Sequence, residues 1–214
     1  RSDPERAEHL QALAQADDHL DPDDLAVMEL LLVQAMLATD AGQPSVAEAA
    51  YVRLDSRLAT RDDEVGKALR VVALQGYGRH LAAWGEAGQA AAVLARAIEA
   101  MDAQFASLPR PRMVPLRLAT AVELGELLVQ IDRKHEALAL VTPLMDEVAA
   151  HYGTDSTFWA DLAFVRAVAL TDSTEGGPDD AEALGLMEKV VTVMAATLDP
   201  ETRDLQRARI NLAV

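Results

Sequence analysis

The 214-residue sequence contains no cysteine, only 4% aromatic residues, and 19 basic side chains against 35 acidic ones. Without a thiol there is no disulfide framework, no cysteine nucleophile and no thiolate metal site. A net charge of −16 argues against direct nucleic-acid binding, because a reader of the phosphate backbone gathers Lys and Arg on one face. Long apolar runs are missing as well. The longest, Leu30 to Ala38, is broken by Gln34 and falls short of the ~20 residues a membrane span requires. The first residues lack the charged start, apolar middle and small-residue cleavage site of a signal peptide, so a cytoplasmic location and no membrane contact are expected. Alternating β-branched and aromatic runs, the mark of strands, are absent too.

What is present is apolar spacing of helical period along almost the whole chain, with half of the residues hydrophobic, enough to bury a core. The predicted fold class is all-α. Breaks at Asp21-Pro22, Gly42-Gln43-Pro44, Arg61-Asp62-Asp63, Gly85, Leu108 to Pro111, Asp132, Gly153-Thr154-Asp155, Ser173 to Pro178 and Asp199-Pro200 divide it into about ten helices of ~15 to 20 residues. Ser2-Asp3-Pro4-Glu5 carries the cap, proline and glutamate of a helix start.

Helices of similar length joined by short turns prompt a search for internal repetition. Aligning Leu20-Asp21-Pro22-Asp23 with Leu198-Asp199-Pro200-Glu201 places Ala35 on Ala213, and the same column collects Gly78, Gly125 and Ala167. Successive steps are 43, 47, 42 and 46 residues. Twelve positions after the small residue comes a second one, followed by apolar groups four and seven further on: Ala47, Tyr51, Leu54; Ala90, Leu94, Ala97; Ala137, Val141, Leu144. The fourth unit, Ala183, Met187 and Val190, follows four residues late behind an inserted acidic turn, Thr171 to Asp180. Small residues facing each other at a helix crossing let two backbones approach closely while the later apolar groups fill the space around them. Ala90 is therefore expected to be tightly packed and Gln89 exposed.

Leu74, Tyr77-Gly78, Leu81, Gly85, Ala90, Leu94 and Ala97 together resemble a tetratricopeptide repeat. The long step is similar to the kinesin-light-chain variety, as found in bacterial signalling proteins, rather than the ~34-residue form. Leu198-Asp199-Pro200-Glu201-Thr202 with Asn211-Leu212-Ala213 resembles the start of that variety's first helix. The resemblance implies a right-handed superhelix of antiparallel helix pairs, an α-solenoid. Residues 1–19 would be the second helix of an incomplete preceding repeat, followed by repeats at 20–61, 62–107, 108–151 and 152–197. Residues 198–214 would be the first helix of an incomplete fifth, as in an excerpt from a longer array. Arg166 and Arg209 stand where the family has apolar groups.

Stacked helical pairs of this kind present an extended concave face that binds peptides or helices. The family's inward positions fall on Glu29, Leu32 and Met36; Val72, Gln75 and Arg79; Ala119, Val122 and Glu126; Asp161, Phe164 and Val168; Arg207 and Ile210. Gln75, Arg79, Val122, Glu126, Asp161, Phe164 and Arg207 are the candidate ligand-binding residues, with Glu126 and Asp161 steering a partner and Val122 and Phe164 holding it. Glu29, Val72, Ala119 and Asp161 occupy the positions of the Lys/Asn clamp that some members use for a C-terminal carboxylate. A basic or amphipathic segment is thus the expected partner, and an acidic tail is not.

Catalytic chemistry finds no foothold. His9, His19, His80, His135 and His151 are scattered, and His135-Glu136 lacks the second histidine of a zinc helix. Gly76-Tyr77-Gly78 lies inside a helical pattern with no strand before it, unlike a phosphate loop. Asp172 to Asp180 lacks the alternating ligands of a calcium loop and reads as a solvated turn. Trp84, Phe158 and Trp159 are expected in the inter-repeat core, and Pro143 is expected to bend its helix. No cofactor, metal or catalytic residue is expected. The leading functional reading is a non-enzymatic protein-interaction module. The alternative is the sensory or regulatory part of a larger bacterial signalling protein, a Ser/Thr kinase or transcription regulator, and an enzyme ranks last. Oligomeric state is left open.

Overall fold

A computed structural model describes residues 24–171 and 178–213. Among them are nine α-helices, one short 3-10 turn at Pro111–Met113 and no strand. The chain divides into two compact units after Leu108. In the first unit the helices are α1 (Leu25–Asp40), α2 (Pro44–Leu58), α3 (Glu64–Ala83) and α4 (Ala87–Gln104). The second holds α5 (Pro115–Gln130), α6 (Lys134–Tyr152), α7 (Thr157–Leu170), α8 (Pro178–Thr197) and α9 (Arg203–Leu212). In each unit consecutive helices pack in antiparallel pairs, and the first helices of successive pairs, α1 with α3 and α5 with α7, lie side by side.

Local chemistry sets the helix starts. The Asp24 carboxylate accepts from the Ala26 N–H at 3.0 Å, Asp63 from Gly66 at 2.9 Å, and the Ser156 hydroxyl from Trp159 at 3.3 Å, each satisfying an otherwise orphaned donor. The Gly66 N–H and the Arg61 guanidinium hold the Asp63 carboxyl below its ordinary range. Pro44 and Pro115 open α2 and α5, where a missing N–H costs nothing. The turns within the three pairs α1–α2, α3–α4 and α5–α6 each place one residue at positive φ, seven positions after the small residue of the repeat: Gly42 (69°), Gly85 (84°) and Asp132 (60°). Glycine reaches this region freely and aspartate tolerates it.

Packing follows the small-residue columns. A Cβ on Gly78 would stand 2.4 Å from Leu94 Cδ2, and one on Gly125 would stand 2.7 Å from Val165 Cγ1 and 3.4 Å from Val141 Cγ1. Ala90 is fully buried, and Gln89 is exposed. Met28, Leu31, Leu54 and Leu58 with Ala73 form the centre of the first unit. Leu118, Leu144, Leu162 and Leu205 are fully buried in the second, each such side chain worth ~1.5–3 kcal/mol of transfer free energy.

Three expectations are corrected. Trp84 is 48% exposed, because it caps the end of α3 beyond the last packed turn and leans on His80, with ring centroids 6.4 Å apart. Phe158 and Trp159 are partly buried rather than core. They lie in the first turn of α7, and Phe158 meets Tyr152 at 5.1 Å. Asp179 and Asp180 belong to the first turn of α8 and not to a loop, a place where their charge complements the helix dipole. Pro143 does fall inside α6. The expected helix over residues 3–19, its cap at Ser2 to Glu5, and the turn at 172–177 lie outside the described residues.

Candidate functional site

Helical spacing assembles a cavity of about 330 Å³ in the second unit. From α5, Ala119, Val122, Glu123 and Glu126 reach it, since positions three, four and seven apart share one face. Asp161 and Phe164 come from α7 and Asp204 and Arg207 from α9, each pair three residues apart, and Met194 of α8 completes the wall. The floor is Phe164, only 7% exposed. Above it the Arg207 guanidinium carbon stands 5.0 Å from the ring centroid, in the range of a cation–π contact. Arg207 Nη2 donates to Glu126 Oε1 at 3.1 Å, and Nη1 stands 4.0 Å from Asp204 Oδ1.

One arginine therefore faces several carboxylates. Asp161 is partly buried in the same lining, and among the described residues no hydrogen bond or ion pair reaches it. Burial, followed by the negative charges of Asp204 and Glu126, raises its pKa from 3.8 to about 6. Desolvation and like charge both oppose ionisation, so the site holds a carboxylate lacking a cation. Among the described residues no three His, Asp or Glu side chains are grouped so as to hold a metal ion. The carboxylates are spread around the cavity.

The first unit has a smaller depression of about 270 Å³, where Leu32 and Met36 of α1 meet Val72, Gln75 and Arg79 of α3. Met36 and Val72 are 52% and 45% exposed. Beneath them lies a polar cluster. Thr39 Oγ1 is 3.0 Å from His80 Nδ1, and Tyr51 stacks on Tyr77 at 5.5 Å. Burial holds the His80 pKa below its ordinary 6.5, although Glu48 and the Pro44 carbonyl draw it the other way. Neutral, hydrogen-bonded and almost wholly enclosed, His80 serves packing.

Of the candidate residues, Val122, Glu126, Asp161, Phe164 and Arg207 line the cavity of the second unit, and Gln75 and Arg79 line the depression of the first. Two are placed differently from what a ligand-contacting face implies: Phe164 and Gln75 are buried, so each is a floor and not a projecting contact. Glu29, Val168 and Ile210 line neither cavity. Glu123, Asp204 and Met194 were not among the candidates. Glu123 and Asp204 sit one helical turn before Glu126 and Arg207, a spacing that could have found them. Met194 belongs to a second helix, which a rule built on first helices passes over.

Comparison with known proteins gives a fold. No family model and no curated protein matches the chain. Solved structures do. The nearly identical TPR-like repeats of a protein assigned as a kinesin light chain of Podosopora anserina superpose with a TM-score of 0.70 at 18% identity, over 92% of this chain and 90% of that one. A singly substituted variant of that protein gives 0.70 at 19%, over 90% and 88%. BtubC (BKLC) of P. vanneervenii gives 0.66 at 16%, over 98% and 79%. The chain has the all-α fold of tetratricopeptide-like repeats.

Proposed function

We propose that this chain, built on a tetratricopeptide-like fold, is a non-enzymatic protein-interaction module whose second unit receives a basic side chain of a partner segment in the cavity between α5, α7 and α9. The observation that carries this reading is Asp161, a partly buried carboxylate crowded by Glu126 and Asp204 and reached by no cation among the described residues. A partner's cation would relieve that crowding. Val122 and Met194 would cover the aliphatic stem behind it, as apolar surroundings cover the stems of Lys and Arg elsewhere. The net charge of −16 favours encounter with a basic segment and raises its association rate at low salt. Arg79, Met36 and Val72, above the buried Gln75, would contact an apolar or amphipathic part of a partner. Helical repeats of this class commonly bind extended or helical peptides, an argument from fold alone. A role as the regulatory part of a larger signalling protein uses the same surface, with the partner segment drawn from the same protein or its target. A cytoplasmic location accords with these readings, and no described helix is long and apolar enough to cross a membrane.

Selection from a random-peptide display library tests the proposal. The wild-type chain is expected to enrich peptides with Lys or Arg beside an apolar residue, and Asp161→Asn to lose that enrichment while keeping its helical circular dichroism. The loss should be about tenfold or more in affinity, as expected when a charge is left without its partner in a half-buried site. Enrichment of acidic peptides, or equal selection by both proteins, would sink the reading.

A further inference from the structure

We infer that Arg207 is an internal stand-in for the partner's arginine, so that α9 must withdraw this side chain before the partner's guanidinium can seat. This rests on the basic-segment reading above and adds to it a gate and a preference for arginine over lysine.

The inference starts from what covers Phe164. The ring is 7% exposed, and the Arg207 guanidinium lies over it at 5.0 Å. A partner can therefore reach the aromatic face only where Arg207 leaves it. The arrangement also states what the site prefers. A planar, weakly hydrated guanidinium stacks on an aromatic ring and bonds a carboxylate through its N–H fork, which the compact ammonium of lysine does not reproduce. Arg207 already makes both contacts, with Phe164 below and Glu126 beside it at 3.1 Å.

Its hold is light. The Arg207 side chain is 42% exposed, its partners Glu126 and Asp204 are partly or largely exposed, and the second contact is stretched to 4.0 Å. Ion pairs so open to solvent contribute little. Arg207 also sits on α9, the shortest described α-helix, where swinging its side chain outward uncovers the Phe164 ring but leaves the helix's own buried residues in place. The buried residues of that helix are Leu205 and Ala208. Asp161 is not among the ion-pair partners of Arg207, so a carboxylate waits in the cavity for the incoming cation while the internal one still occupies the ring.

A site occupied by its own side chain for most of the time binds an external ligand more weakly, in proportion to the fraction of time it stands open. The test titrates acetyl-arginine amide and acetyl-lysine amide into the full chain, with amide NMR shifts of α5, α7 and α9 as the readout. Arg207→Gln keeps part of the stem but cannot stack as a cation, and Arg207→Ala removes both. Both are expected to bind the arginine probe about five- to tenfold more tightly than wild type, and to prefer it to the lysine probe by about threefold or more. Adding Phe164→Leu to Arg207→Gln should erase the preference. Should Arg207→Ala loosen α9, Arg207→Gln decides. Equal or weaker binding by Arg207→Gln, with wild type still binding, would overturn the stand-in while leaving the basic-segment reading intact. An absence of binding by wild type and both variants would overturn that reading and this inference with it.

Discussion

Gly78→Val is expected to destabilise the first unit by about 2–3 kcal/mol, the largest effect of any single substitution considered for the fold. A Cβ at this position would stand 2.4 Å from Leu94 Cδ2 and 2.7 Å from Leu94 Cγ. Leu94 is itself fully buried, so it has no empty space to move into. The two γ-methyls of valine would press further, against a helix pair whose backbones are close because position 78 has no side chain. Intrinsic helix propensity works in the opposite direction, since glycine inside a helix costs up to ~1 kcal/mol relative to better formers, but overpacking of the crossing outweighs it. Gly88 supplies the control. It lies in α4 with nothing within 4 Å of its would-be Cβ, so Gly88→Ala should stabilise by about 0.5–1 kcal/mol. Urea melts of the two variants check the pair of signs. A destabilisation of similar size at both positions would mean that the small-residue column is not where the helices cross.

The second large effect concerns Asp161. Its pKa in the folded chain stands near 6, above the ordinary 3.8, which reverses the common case of a stabilised carboxylate. Between pH ~4 and ~6 the folded chain binds more protons here than the unfolded chain, so stability falls as pH rises through this window and the loss is complete above ~6. Glu126 and Glu123 from α5 and Asp204 from α9 are the negative groups sharing the cavity, and Arg207 from α9 is the positive one. Asp161→Asn keeps the shape of the protonated acid without its charge. It should stabilise the protein by about 1–2 kcal/mol at pH 7.5, a value kept below the full conversion of the shift because the group is partly hydrated. The advantage should vanish below about pH 4. Thermal melts of both proteins across pH 4 to 8 check this, the difference between them removing the contribution of titrating groups not coupled to Asp161, His80 included.

Asp161→Asn is thus expected to gain stability and lose binding together. That combination separates a docking residue from a structural one, because a structural carboxylate would lose stability when neutralised.

The architecture was legible because helix crossings constrain sequence at few positions but constrain them hard. Ala35, Gly78, Gly125 and Ala167 are small for a steric reason, and the turn seven residues beyond the first three needs a residue that accepts positive φ, supplied by Gly42, Gly85 and Asp132. Such demands repeat with the structural unit and survive in the sequence as a period. The members of the cavity were partly legible for a related reason. Residues at one-turn spacing on a first helix share a face, which is how Val122 and Glu126, or Asp161 and Phe164, come together.

Depth was not legible. Spacing says that Phe164 and Gln75 point to one side of a helix. It does not say that a neighbouring arginine will roof the first or that the second will be buried. Trp84 shows the same limit in reverse, since an aromatic beside the Gly85 turn is expected in the core but stands exposed at the helix end. Pairings across helices, such as Arg207 with Glu126 over a separation of 81 residues, arise from tertiary placement and leave no local trace.

The most direct measurement is the titration of the Asp161 side-chain carboxyl by carbon-13 NMR, in the free chain and with a saturating basic peptide taken from the display selection. A carboxylate crowded by like charges and lacking a cation should titrate near 6 when free and return toward the ordinary carboxylate range when the peptide is bound, as an adjacent positive charge favours the ionised form. A free midpoint near 3.8, or one near 6 that the peptide leaves unmoved, would contradict the assignment of this cavity as the place where a partner's cation docks.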